Sequence, residues 1–178
     1  MMDETQEAPR RMARSQDMRL AFEFFILFSR FEYALKKTGG VRFCKEVQVS
    51  KGSEAKRATP DWKSFAANIQ LAFFEITCEE LKLATNYIFE NPPKIQTCGA
   101  GWEDFKTPFH KKTEGLNWLI EAIKQVRNNL FHGGKYPLQL IDESSRNKVL
   151  LEHSMTILRA CLNCDNEVKT IFLDGLES

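Results

Sequence analysis

The chain has 178 residues, the size of one domain with a substantial core. Hydrophobic residues make up 43% and charged residues 28%, ordinary proportions for a globular protein. With 25 basic and 24 acidic side chains the formal charge is +1, which argues against holding nucleic acid by bulk electrostatics and leaves room only for a local basic patch.

The opening "MMDETQEAPRRMARSQD" is polar where a secretory leader needs an apolar core, and residues 1–15 are expected to form a flexible tail. The longest purely apolar run, Phe24 to Phe28, is far short of the ~20 residues that span a bilayer. Five scattered cysteines make no disulfide framework, so a cytoplasmic protein with reduced thiols and no membrane contact is expected.

Residues 15–37 have helical spacing and are apolar on more than one face, including Phe22, Phe24, Ile26, Phe28, Phe31 and Leu35. Such a helix is buried on more than one side, most simply in a bundle core and a subunit interface. Gly39 and Gly40 are expected to stop it. Residues 41–58 read as a loop with a short extended piece at "VRFCKEVQV". Thr59 and Pro60 then look like the cap and first residue of a helix carrying Trp62, Phe65 and Ile69. That helix-rich stretch reaches about residue 90 with an interruption, where Thr77 and Glu80 resemble a capping box, and Pro92-Pro93 ends it. Residues 94–112 read as loop. Apolar positions 116, 119, 120, 123, 126 and 130 predict a helix from about 113 to 132, and a last long helix is expected over 145–173. Four main helical regions without a convincing strand pair point to an all-α bundle.

The stretch "VRNNLFHGGK", residues 126–135, carries the chemistry. Arg127 and His132 close a helix before a double glycine, and Lys124, Asn128 and His132 share a face at a spacing of four. One reading is an ordinary helix terminus, its Arg and His capping carbonyls. The other is a site in which the helix dipole tunes His132 for acid–base work and Arg127 grips a phosphate. Gly133 and Gly134 serve as a helix stop, while Lys135 is a candidate phosphate contact; no strand precedes them, so they are no P-loop. Cys161 and Cys164 lack a second ligand pair and read as two small side chains on a helix, so no metal site is expected. His110-Lys111-Lys112 reads as a solvated loop or a basic edge.

Arg127-Asn128-Asn129-Leu130-Phe131-His132 resembles the Arg-x4-6-His motif of the HEPN superfamily, in which a polar residue follows the arginine near the end of the third core helix. "LFHGGK" is similar to many stand-alone bacterial members. "RFEYALKK" resembles the aromatic-acidic segment of that subset, which marks Glu32 as an accessory residue; by spacing alone Glu32 also suits a pair with Lys36. The resemblance implies an HEPN-like antiparallel bundle of four main helices plus short additional helices over residues 16–175. It implies a homodimeric, metal-independent endoribonuclease without a cofactor, in a bacterial toxin or antiviral defence role. Arg127, Asn128 and His132 would then be catalytic, and Glu32, Lys124 and Lys135 accessory. RNA would be the substrate, with a cognate antitoxin or nucleotidyltransferase as the kind of partner to expect. The alternatives are a non-catalytic HEPN module binding RNA, a nucleotide or a partner protein, and a structural helical dimer whose motif is only a helix end.

Overall fold

The computed structural model describes residues 16–50, 54–97, 101–105, 111–131 and 141–174. Helix α1, Gln16–Lys37, contains neither glycine nor proline. It buries Phe24, Leu27, Phe28, Phe31, Ala34 and Leu35 and exposes Phe22, Ile26 and Tyr33, so its two apolar faces meet different surroundings. Thr38 closes it: its Oγ1 donates to the Leu35 carbonyl at 2.9 Å and accepts from the Phe43 N–H at 3.1 Å. The following short turn, Gly39–Val41, carries Gly40 at φ 63° and Val41 at φ 55°. Glycine takes that left-handed conformation freely; a β-branched residue is strained there.

Strands β1, Cys44–Gln48, and β2, Lys56–Pro60, form an antiparallel hairpin with Cys44 opposite Pro60 and Gln48 opposite Lys56. The expectation of a loop with one extended piece is therefore corrected. Both strands are mostly exposed, so no alternation of apolar and polar residues announces them. Thr59 and Pro60 end β2, and the cap of α2, Trp62–Phe74, is Asp61, whose carboxylate accepts from the Ser64 N–H at 3.2 Å and pairs with Lys45 at 2.7 Å. Proline is tolerated at such a strand end because its missing N–H breaks no interior ladder bond.

Helix α3, Glu79–Glu90, follows the expected interruption, but its cap is Cys78, which makes no side-chain cap bond, rather than Thr77. A second hairpin, β3 (Lys94–Gln96) with β4 (Trp102–Asp104), occupies part of the stretch expected to be loop. The Thr97 N–H donates to the Gly101 carbonyl at 2.9 Å. A Cβ on Gly101 would stand 2.7 Å from Thr97 Oγ1, so a larger residue there would force that side chain to move.

Helix α4 is Lys111–Phe131. The expected final helix is two: α5, Ile141–Asn163, and α6, Asn166–Leu173. Asp165 breaks them apart with extended backbone (φ −139°, ψ 110°) and a side chain that accepts from the Val168 N–H at 3.1 Å.

The architecture is mainly helical, with two small hairpins among the described residues. Helix α1 packs on α5 and α6, α3 on α5, and α2 on α4, while β2 lies against α1. One aromatic cluster joins α1 to α2 through Phe31 and Trp62 (ring centroids 5.0 Å apart) and Phe31 and Phe65 (5.3 Å). A second joins α3, α4 and the residue after β4, with Phe89 stacked on Trp118 at 5.2 Å and Phe105 edge-on to it at 5.5 Å. Offset and edge-to-face arrangements of this kind add to simple area burial.

Candidate functional site

The core face of α4 runs through Leu119, Ile123 and Val126, all buried, and sets the direction of every other side chain on the helix. Arg127, next along the chain, is carried to the edge of that face and is half-buried. There it meets α1: its guanidinium carbon lies 6.0 Å from the centroid of the Phe28 ring, at the outer limit of a cation–π contact. Its Nη1 donates to Asn128 Oδ1 at 3.2 Å. Asn128 thus holds the arginine, and the structure brings these two candidates into direct contact.

Lys124, one turn earlier, is engaged by its own helix. Its ammonium lies 2.7 Å and 2.8 Å from the two carboxylate oxygens of Glu121. Glu32 is half-buried and stands one helical turn beyond Phe28 on α1. No hydrogen bond or ion pair joins Glu32 to another described residue, Lys36 included. His132 and Lys135 lie outside the described residues, as does His110.

The second asparagine of the motif has a structural task that its place in the sequence did not announce. Asn129 is 8% exposed. Its Nδ2 donates to the Lys94 carbonyl at 2.7 Å and its Oδ1 accepts from Gln125 Nε2 at 2.8 Å. Both ends of the amide are turned inward, which pins β3 to the end of α4. The signal was present: position 129 continues the apolar series 119, 122, 126, and a polar residue on such a face needs a buried partner. Phe28 left no such sign, because its partner is 99 residues away in sequence.

Cys161 is buried and Cys164 half-buried at the end of α5. Burial pushes the Cys161 thiol well up, and neighbouring Cys164 adds to the effect; burial raises Cys164 too. Cys164 Sγ faces the Ala160 carbonyl at 3.3 Å, in the turn where α5 ends, so the helix does not run straight through the pair as expected. Among the described residues no group of three or more His, Cys, Asp and Glu could hold a metal ion. None of their helices is long and apolar enough to cross a membrane. Compared with known proteins, the chain matches no family model, no curated protein and no solved structure.

Proposed function

We propose that this protein is a metal-independent endoribonuclease of HEPN type, cleaving RNA through attack of a ribose 2′-OH on the adjacent phosphorus at a composite site of a homodimer. The observation that carries the reading is the setting of Arg127: the arginine of the motif sits near the end of α4, braced by Asn128 Oδ1 and by the Phe28 ring of α1. An arginine held in this way is pre-oriented, so less side-chain freedom is lost when it binds a phosphate.

In the proposed reaction a neutral His132 takes the proton from the 2′-OH as the oxygen attacks phosphorus. Arg127 binds the non-bridging oxygens and stabilises the charge that develops on them. The bond from phosphorus to the 5′-oxygen breaks, and that oxygen receives a proton from His132 of the partner subunit. The products are a 2′,3′-cyclic phosphate and a 5′-hydroxyl end. Asn128 positions Arg127, Glu32 supports the site from α1, and Lys124 and Lys135 are accessory phosphate contacts. The exposed face of α1, with Phe22 and Ile26, is the dimer contact. A cytoplasmic toxin or defence role, restrained by an antitoxin or nucleotidyltransferase, belongs to the same proposal.

The test is cleavage of a mixed-sequence RNA in EDTA by wild type, Arg127→Ala and His132→Ala side by side, with product ends identified. Each variant is expected to fall ~10²–10³ in rate, the usual effect of removing one transition-state interaction. Equal cleavage by all three would remove the assignment. Absence of cleavage with retained RNA binding would favour a non-catalytic binding module.

A further inference from the structure

The last turns of α1 carry an exposed aromatic ring between cations. Tyr33 is 40% exposed. The Arg30 guanidinium carbon lies 5.3 Å, and the Lys37 ammonium 5.9 Å, from its ring centroid. These two cations differ in freedom. Arg30 is fixed by the C-terminal carbonyls of α6, donating from Nη2 to the Phe172 oxygen at 2.7 Å and the Asp174 oxygen at 2.6 Å. Lys37 is exposed, and neither it nor Lys36 forms an ion pair with a described carboxylate. The helix dipole accounts for two lysines in a last turn. It does not account for an exposed tyrosine held between cations.

We propose that Tyr33, with Lys36 and Lys37, is a docking platform for single-stranded RNA: a base stacks on the tyrosine ring while the lysines meet the flanking phosphates. Aromatic rings beside basic groups are the common device of single-strand binding, because every base has a stacking face and every linkage a charge. Arg30 keeps the ring in place, and Lys37 gives up its position over the ring to reach a phosphate. Tyr33 stands two turns beyond Ile26 on the same side of α1, and charge separates it from the proposed dimer contact, since two-fold packing centred on Tyr33 would bring Arg30, Lys36 and Lys37 of both copies together. Tyr33 lies five positions beyond Phe28 on α1, ~7.5 Å along the axis and ~140° around it, so the platform stands on a different side of the helix from the ring beside Arg127. The platform rests on the reading of this chain as an RNA-acting protein and deepens it by assigning where the strand lies.

The experiment is binding of a fluorescent 2′-O-methyl RNA twelve-mer, which cannot undergo 2′-OH attack, followed by anisotropy with the full chain. Tyr33→Ala is expected to weaken binding ~10-fold or more, while Tyr33→Phe keeps it, because stacking needs the ring and not the hydroxyl. The double change Lys36→Gln with Lys37→Gln is expected to lower the salt slope by ~1.4, or ~0.7 for each phosphate no longer neutralised. An abasic nucleotide at the stacked position should bring wild type down to Tyr33→Ala and leave that variant unaffected. Binding by Tyr33→Ala within twofold of wild type overturns the platform, as does no binding by wild type. A change of oligomeric state on Tyr33→Ala also overturns it, because the ring would then be a protein contact. Binding through Tyr33 without cleavage of natural RNA leaves the platform standing and removes the nuclease. Cleavage with Tyr33→Ala binding unchanged does the reverse.

Discussion

Asn128 and Asn129 are neighbours of identical chemistry with opposite tasks, separated only by the ~100° that one residue turns on a helix. Asn129→Ala leaves the Lys94 carbonyl without its buried donor and is expected to cost about 1–3 kcal/mol by urea denaturation. Asn128→Ala, at a half-buried position, should leave stability within ~0.5 kcal/mol and slow cleavage instead. Equal effects of the two on folding would contradict this division. Val41 offers the opposite sign: at φ 55° and two-thirds exposed, it is expected to gain about 0.5–1 kcal/mol on change to glycine. Asp61 links one residue to pH. Burial alone would raise its carboxyl, but hydrogen bonds from Lys45 and Ser64 and the charge of Lys45 outweigh it, so its pKa lies below the usual carboxylate range. A lowered folded value means that this stabilisation is complete above the unfolded value and is lost as pH falls through the folded one. The stability difference between wild type and Asp61→Asn should therefore be flat above pH ~5 and shrink below pH ~4.

At the scale of elements, the break between α5 and α6 shows why helix ends are harder to read than helix bodies. The apolar positions of 145–173 continue without pause, so periodicity predicts one helix. Asp165 ends it because its side chain serves three groups: the Val168 N–H, Arg42 at 3.0 Å and Asn68 at 3.4 Å. Two of these come from residues about a hundred positions away. Arg42 also pairs with Glu167 at 3.0 Å, and Glu167 accepts from the Gly39 N–H at 2.6 Å, which holds its carboxyl below the usual range. Asp165→Ala is expected to remove cap and pair together, at ~2 kcal/mol or more, with faster amide exchange confined to α6. Uniform exchange across the chain would show that α6 is not a separate cooperative unit. The hairpins escape a reading by periodicity for a related reason. A strand reveals itself by burying alternate residues, and both strands of the first hairpin are mostly exposed.

For the whole molecule, the two apolar faces of α1 are the main fact. One closes the core against α5 and α6; the other shows Phe22 at 62% and Ile26 at 44% exposure. In the proposed dimer, Phe22→Asp with Ile26→Asp should convert a two-chain species to single chains in sedimentation. RNA cleavage should fall in parallel, while the far-ultraviolet helical signal is kept. A wild type that sediments as single chains up to ~100 μM would exclude the composite site, since specific dimers bind more tightly than that.

The sequence by itself determined the helices whose apolar residues recur at helical spacing, the two-faced character of α1, and the candidacy of the residues from Arg127 to His132. These are local properties, written in spacing and residue type. Only the tertiary structure decided that Asp61 caps α2, that Asp165 divides the last helix, and that Asn129 faces inward while Asn128 holds Arg127. It also decided that Phe28 supports that arginine and that Arg30 fixes Tyr33. Asn128 and Tyr33 meet their partners on their own helices. Asp61, however, needs Lys45, Asp165 needs Arg42 and Asn68, Asn129 needs Lys94 and Phe28 meets Arg127 through packing rather than chain order, which lets such pairings override local preference.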